Sequence, residues 1–287
     1  MSRAREAEPE LTARETAQVE RANVSSRTPA VFIHGLWALS SVWDQWAGYF
    51  EDAGYIALTP GWPDDPETVI EAREHPAVFA GKSVEQLVFH LEAVSARLGR
   101  KPIVVGHSFG GLLAQILAGR GRAAVSVAIS PAPFRGVLPA PISMVRSALP
   151  VLRNPANRGR AVSLTYEQFR YSVANATDDQ EAAKLHANYA VPAGGRALFQ
   201  DALANINPWT EARVDSKNPA RGPLLIISGG KDRFIPPAVT RSEYKRQRRS
   251  GAVTELVEFP GRGHSLTIDA GWPEVAETAL RFIRRFE

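Results

Sequence analysis

The chain has 287 residues, of which 44% are hydrophobic and 22% charged, and its formal net charge is +4. This composition excludes a disordered or fibrous protein, and the length suits one mixed α/β domain with a large core. Because the sequence contains no cysteine, disulfides and thiolate metal sites are excluded as well.

The charged residues give no sign of a nucleic-acid or membrane partner. The densest basic run is Lys245, Arg246, Arg248 and Arg249, whose spacing fits the solvated end of a helix. No apolar run approaches the roughly 20 residues needed to span a bilayer. We therefore expect no nucleic-acid partner and no membrane insertion.

Residues 1–28 carry many charges and lack the apolar stretch of a secretory signal peptide. We expect them to form an N-terminal tail whose order and role the sequence leaves open, and we expect a cytoplasmic protein.

From residue 29 onward, short apolar runs alternate with segments of helical periodicity. This alternation predicts an α/β fold with a mostly parallel sheet flanked by helices. The expected strands cover 30–33, 55–58, 102–105, 124–129, 223–227 and 253–259. The expected helices cover 41–53, 83–98, 112–118 and a last stretch through 275–283.

One segment interrupts the strand series, because residues 142–215 contain helical segments and no clear strand. The pattern predicts a core at 29–130 and 216–287 with a helical insertion at 131–215. The insertion follows the C-terminal end of a strand, and in an open α/β sheet that edge carries the ligand crevice. We interpret the insertion as a lid over the active site.

The segment Gly106-His-Ser-Phe-Gly110 has the G-x-S-x-G pattern between a predicted strand and a predicted helix. A strand that turns into a helix within a few residues needs small flanking residues and presents the central Ser108 at the edge of the sheet. The pattern alone arises by chance, and a serine that merely caps a glycine-rich turn is the alternative. The strand before it and the helix after it favour a nucleophile.

Two further residues are candidates for the acid and the base of a catalytic triad with Ser108. Asp232 follows an apolar strand and a Gly-Gly turn, and His264 lies in a loop before the last helix. The chain order Ser, Asp, His is typical of a nucleophile elbow with its acid and base. An ordinary turn aspartate and a surface histidine are the alternatives, and Asp269 and Glu258 are weaker candidates for the acid.

The other histidines are expected to be structural. We expect His75, His90 and His186 at the surface and His107 packed at the turn beside Ser108. No pair has the spacing of a zinc-binding helix, so no metal and no cofactor is expected.

Two backbone N–H groups are expected to form the oxyanion hole, those of Leu36 and Phe109. Phe109 directly follows the nucleophile, and Leu36 lies in the loop after the first strand, where Gly35 permits a tight turn. A candidate apolar pocket wall is drawn from loop and lid residues: Trp37, Trp62, Pro131, Phe134 and Trp209. For Trp37, simple core packing is the alternative.

The sequence resembles the α/β-hydrolase superfamily, in its branch of lidded serine esterases, lipases and cofactor-free haloperoxidase-like enzymes. The matching segments are IHGLW at 33–37, GHSFGG at 106–111, LLIISGGKDRFIPP at 224–237 and GRGHS at 261–265. Members usually begin with an antiparallel hairpin, which residues 1–28 lack, so we expect about six parallel strands or an atypical sheet edge. The resemblance also implies that dehalogenases and epoxide hydrolases of this superfamily carry Asp at the nucleophile position, so Ser108 disfavours both activities.

The residues predict a serine hydrolase that cleaves a small to medium, apolar carboxylic ester through an acyl-enzyme on Ser108, with the ester and water as its partners. C–C bond hydrolysis, lactone hydrolysis and cofactor-free perhydrolysis or haloperoxidation use the same triad and remain alternatives. A non-catalytic ligand receptor on a hydrolase fold is the alternative from another class. The sequence leaves the oligomeric state open.

Overall fold

Eight strands are present in the computed structural model, which describes residues 9–287. They are β1 (Pro29–Ile33), β2 (Ile56–Leu58), β3 (Ile103–His107), β4 (Val125–Ile129), β5 (Ala161–Val162), β6 (Ala193–Gly194), β7 (Leu224–Gly229) and β8 (Thr254–Phe259). Six of them form one parallel sheet in the order β2-β1-β3-β4-β7-β8. The prediction of a mostly parallel sheet of about six strands is confirmed.

Helices cover both faces of this sheet. They are α1 (Ala13–Val24), α2 (Asp44–Asp52), α3 (Val69–Glu74), α4 (Val84–Ala96), α5 (Phe109–Gly119), α6 (Ile142–Leu152), α7 (Tyr166–Ser172), α8 (Asp179–Tyr189), α9 (Gly195–Ala202), α10 (Pro237–Gln247) and α11 (Trp272–Ile283). No helix in the described part of the chain has the length and apolar character required to cross a bilayer.

Alternate residues of each central strand serve different cores. Val31 and Val104 pack with apolar side chains of α1, α4, α5 and α10, whereas Phe32 and Val105 pack with those of α2 and α11. Strands β1, β4 and β7 are buried along their whole length. Burial on both faces explains why these strands are apolar runs in the sequence rather than alternating ones.

The N-terminal region is the main correction to the sequence-based picture. Residues 1–8 of the predicted tail lie outside the described residues, but 13–24 form α1, which packs against the edge strand β2. Arg21 donates to the Ala57 carbonyl at 2.8 Å, and Gln18 accepts from the Thr59 N–H at 3.1 Å. A helix here replaces the missing hairpin as the cover of the sheet edge.

A buried hydrogen bond between Glu15 and His90 fixes α1 to α4. Glu15 and His90 are only 2% and 3% exposed, and their side chains meet at 2.8 Å. The expectation of a surface position for His90 is therefore wrong, because a partner 75 residues away in sequence lets a polar side chain enter the core.

Four helices, α6–α9, lie between β4 and β7 in the chain. This segment contacts the loop after β7, where Ser147 donates to the Arg233 carbonyl at 3.3 Å and Asn175 donates to the Lys231 carbonyl at 2.8 Å. The two-residue strands β5 and β6 pair antiparallel within this segment. They are too short to show an alternating pattern in the sequence, which is why no strand was expected there. That the segment acts as a lid remains a prediction.

Candidate active site

The turn after β3 places Ser108 at the carboxyl edge of the sheet in a strained conformation, with φ of 55° and ψ of −119°. Its neighbouring glycines are sterically required. A Cβ atom on Gly106 would lie 2.1 Å from the Gly110 carbonyl oxygen, and one on Gly110 would lie 2.1 Å from the Ile33 carbonyl oxygen. The backbone packs so tightly that the G-x-S-x-G pattern has a geometric cause.

The structure brings the three predicted triad side chains together. His264 Nε2 lies 3.0 Å from Ser108 Oγ, and His264 Nδ1 lies 2.7 Å from Asp232 Oδ2. The second Asp232 oxygen accepts the backbone N–H groups of Phe234 and Ile235, both at 2.8 Å. Asp232 is thus held as an oriented acceptor, and Ser108, Asp232 and His264 are all at most 6% exposed.

The other two candidate acids have different partners. Asp269 accepts the Ser265 hydroxyl at 2.7 Å and pairs with Arg262. Glu258 pairs with Arg241 at 2.7 Å. Neither carboxylate touches His264 in the described structure, whereas Asp232 does.

His107 packs against His264. Its Nε2 donates to the His264 carbonyl at 2.8 Å, and the two rings lie 4.7 Å apart. Burial, together with the charge that His264 can carry, lowers the pKa of His107 well below its ordinary value. His107 therefore stays neutral and serves as a hydrogen-bond donor rather than as a second base.

The two N–H groups expected to form the oxyanion hole lie on adjacent backbone. A Cβ atom on Gly35 would meet Ser108 Cβ at 3.0 Å and the Phe109 nitrogen at 3.4 Å, so the loop carrying Leu36 packs directly on the turn. Among the described residues, neither the Leu36 nor the Phe109 N–H donates to a protein acceptor. Both remain available to a substrate oxygen.

Two cavities meet at Ser108. The large cavity, of about 250 Å³, is bounded by Leu36, Ser108 and Phe109 and by side chains of α6 and α9. The small cavity, of about 40 Å³, is bounded by Ser108, Trp37 and His264. His264 lines only the small cavity, so the two cavities approach Ser108 from different sides.

The predicted pocket wall needs correction. Trp37 lines the small cavity and donates its Nε1 to the Val162 carbonyl at 2.9 Å. Trp62 stacks on His34 at 4.6 Å between ring centres, Phe134 is buried in the core, and Pro131 is buried beside Gly111; none of these three lines either cavity. Trp209 is 86% exposed and lies beside Arg120, away from both cavities.

Sequence reasoning missed Asp201, an acidic residue that lines the large cavity. It lies in the last turn of α9 and is 8% exposed. No strand end or motif marks it, so only the packing of α9 against the core reveals its place. Within residues 9–287, no group of three or more His, Asp or Glu side chains is arranged to hold a metal ion.

The fold and the site together point to one class of protein. Its features are a parallel sheet, a strained serine directly after β3, and an aspartate and a histidine on later loops that meet this serine. The sequence model of the alpha/beta hydrolase family matches residues 30–278, and the chain belongs to this family. No curated protein matches the chain in sequence.

Solved structures share this fold at low sequence identity. A monoacylglycerol lipase from Paleococcus ferrophilus is 19% identical, with a TM-score of 0.63 over 90% of this chain and 95% of that chain. A methylesterase from Arabidopsis is 17% identical, with a TM-score of 0.61 over 90% and 99%. A pyrethroid hydrolase from Sphingobium faniae JZ-2 is 17% identical, with a TM-score of 0.62 over 90% and 97%. At these identities the likeness shows the fold alone.

Proposed function

We propose that the protein is a serine hydrolase that cleaves carboxylic esters through an acyl-enzyme on Ser108. The observation that carries the proposal is the continuous relay from Ser108 Oγ through His264 to Asp232, at 3.0 and 2.7 Å. A serine held within hydrogen-bond reach of an oriented imidazole is the arrangement that activates a hydroxyl nucleophile.

In the proposed mechanism, His264 takes the Ser108 proton as Oγ attacks the ester carbonyl carbon. The carbonyl oxygen becomes an oxyanion that accepts the Leu36 and Phe109 N–H groups. The C–O bond to the alcohol then breaks, and His264 returns the proton to the leaving oxygen. Water, deprotonated by the same imidazole, releases the acid and regenerates Ser108. Asp232 holds the tautomer and stabilises the imidazolium.

The two cavities suggest which part of the ester goes where. The leaving oxygen must receive its proton from His264, which borders only the small cavity of about 40 Å³. The acyl chain would then occupy the large cavity of about 250 Å³. We therefore propose esters of short alcohols with medium acyl chains, with α6–α9 acting as a lid over the acyl chain.

Two measurements test the proposal. The wild type is expected to hydrolyse methyl esters and to label with an alkyl fluorophosphonate, with fastest turnover at short to medium acyl chains in a series from acetyl to dodecanoyl. Ser108→Ala should lose at least about 10⁴-fold in kcat and should not label. Fastest turnover on dodecanoyl ester would contradict the small to medium acyl site, and an unlabelled wild type that binds esters without turnover would favour the receptor alternative.

Lactone hydrolysis, C–C bond cleavage and perhydrolysis use the same three side chains. A lactone offers the same carbonyl with a tethered alcohol, and the small cavity disfavours a bulky ring there. These activities are separated from ester hydrolysis by giving the active, unlabelled wild type each substrate class in parallel.

A further inference from the structure

The large cavity contains a carboxyl group that has no partner. Asp201 is 8% exposed, and no side-chain hydrogen bond or ion pair of Asp201 exists among the described residues. One of its oxygens, Oδ1, is fully buried. A buried polar group without a partner is costly to a fold, so its retention needs a reason.

Asp201 can act as a hydrogen-bond donor at neutral pH. Burial raises the pKa of its carboxyl to about 8. The group also sits in the last turn of α9, where the negative end of the helix dipole further disfavours a second negative charge. The carboxyl is then mostly neutral at pH 7, and Asp201 lines a cavity whose other walls are mainly apolar.

The charged groups around Asp201 do not neutralise it. Glu243 on α10 is buried. Its burial, and to a smaller extent the nearby Asp201 carboxyl, raises the pKa of Glu243 well above its ordinary value. Arg246, also on α10, packs against Gly136 and forms no ion pair in the described structure. On α9 itself, Arg196 donates to the Gly81 carbonyl at 2.8 Å.

The remaining polar groups nearby are exposed or already bonded. The 3₁₀ turn Pro155–Gly159 packs on α9. Arg158 within this turn and Arg153 just before it are both exposed. Asn205 is held by the Gly136 N–H at 2.6 Å and donates to the Val137 carbonyl at 2.7 Å. Among the described residues no group hydrogen-bonds to the Asp201 side chain, which leaves a substrate group in the cavity as its partner.

We propose that Asp201 is a specificity-determining residue that donates a hydrogen bond to an uncharged oxygen acceptor, such as a ketone, on the acyl chain of the ester. This inference rests on the proposed acyl-enzyme function. A ketone oxygen satisfies the buried O–H without bringing a charge into the apolar cavity. An ammonium group would instead require both itself and Asp201 to be charged there, which is the costlier arrangement.

The first test compares matched esters. Methyl 4-oxopentanoate, 5-oxohexanoate and 6-oxoheptanoate are each paired with the plain methyl ester of the same chain length, and acid release is measured at constant pH. For at least one chain length, wild-type kcat/KM should favour the oxo ester by about tenfold, because the plain chain leaves the Asp201 O–H unpaired.

Variants separate recognition from a structural role. Asp201→Asn keeps a neutral donor and should retain most of the oxo preference, whereas Asp201→Leu should bring the ratio to about one or below. Met144→Leu, an apolar change in the same cavity, should shift both esters alike. Labelling of each variant by an alkyl fluorophosphonate shows that the nucleophile is still active.

The pH dependence of the oxo-to-plain ratio of kcat/KM is a second readout. Because both esters depend on the same proposed base, His264, its titration cancels in this ratio. The ionised carboxyl cannot donate, so the wild-type oxo preference should fall as pH rises through about 8. In Asp201→Asn the ratio should stay flat. A ratio that is flat in the wild type would overturn the inference.

The failure of this inference is distinguishable from the failure of the proposed function. Hydrolysis of plain esters and labelling at Ser108, with an oxo ratio of one at every chain length, overturns only the role of Asp201. A preference for methyl 6-aminohexanoate over the oxo esters, rising above pH 8, overturns it in favour of an ion pair. Absence of both labelling and hydrolysis overturns the proposed function, and the inference with it.

Discussion

At the scale of single residues, the position of Gly110 is fixed by contact with the first strand. A Cβ atom there would lie 2.1 Å from the Ile33 carbonyl oxygen and 2.5 Å from that of His34. Real Cβ atoms do not approach a backbone oxygen so closely, so the turn that carries Ser108 would have to shift.

We therefore predict that Gly110→Ala lowers the free energy of unfolding by about 3 kcal/mol or more and abolishes fluorophosphonate labelling. Gly48→Ala is the matched control. Gly48 lies in the middle of α2 on its exposed face, and no atom lies within 4 Å of an added Cβ. That change should stabilise the protein by about 0.5–1 kcal/mol. Urea unfolding followed by circular dichroism measures both, and equal effects of the two variants would contradict the steric account.

Residues whose role depends on the end of an apolar strand could be predicted from sequence. Ser108 and Asp232 each follow such a strand, and parallel strands bring their carboxyl ends to one edge. Asp201 could not be predicted, since its sequence context is an ordinary amphipathic helix. Its burial depends on how α9 packs against α6 and the 3₁₀ turn Pro155–Gly159, which no local pattern encodes.

At the scale of elements, each expected strand of the sheet is present, within two residues at either end. The inner strands β1, β4 and β7 are mostly apolar runs because both of their faces are buried, whereas the edge strand β8 is half-buried and mixes polar with apolar residues. Helix boundaries were harder to predict. The expected helix at 41–53 is a 3₁₀ turn, Ser40–Trp43, followed by α2, and α5 begins at Phe109 rather than 112. The glycines at 110 and 111 hid its first turn, since glycine disfavours helices unless close packing requires it.

The helix α1 escaped prediction for a different reason. Its Thr12–Glu15 capping box is a readable start signal, but the helix has few apolar residues and buries a charged one. Glu15 meets His90 at 2.8 Å in the interior. A periodicity search looks for apolar residues and takes such a helix for a solvated tail.

The Glu15–His90 pair gives a pH-dependent prediction. Burial acts to raise the pKa of Glu15, but the hydrogen bonds from His90 and Thr12 outweigh it, and the pKa lies below its ordinary value of 4.5. Stability from a carboxyl with a lowered pKa is present above the ordinary value and is lost as pH falls through the lowered one. Glu15→Gln should therefore cost about 2 kcal/mol at pH 6, and the difference from wild type should shrink below pH 4.5.

The control for this prediction is Glu20→Gln on the exposed face of the same helix, which should change the free energy of unfolding by less than about 0.5 kcal/mol. Urea unfolding at pH 6 and at pH 4 measures the free energy of unfolding of each variant relative to the wild type at the same pH. A Glu15→Gln effect that is the same at both pH values would show that packing alone, and not the charge, holds α1.

At the scale of the whole molecule, the site depends on contacts between distant parts of the chain. Trp46 on α2 donates its Nε1 to the Thr267 carbonyl at 3.0 Å, across 221 residues of sequence. Thr267 lies in the loop after His264 and lines the small cavity. The aromatic core on this face of the sheet therefore supports the loop that carries the base.

Trp43 and Trp46 form a natural matched pair for testing this link. Both are fully buried and pack edge to face at 5.3 Å, but the Trp43 Nε1 has no partner in the described structure. Trp46→Phe removes a satisfied donor and leaves the Thr267 carbonyl unpaired, so it should cost about 1–2 kcal/mol more than Trp43→Phe. It should also lower kcat/KM for a methyl ester by about tenfold through misplacement of His264, whereas Trp43→Phe should not. Circular dichroism in urea and acid release measure the two effects, and an equal loss of activity in both variants would mean that general loosening of the core, rather than this hydrogen bond, governs the position of the base.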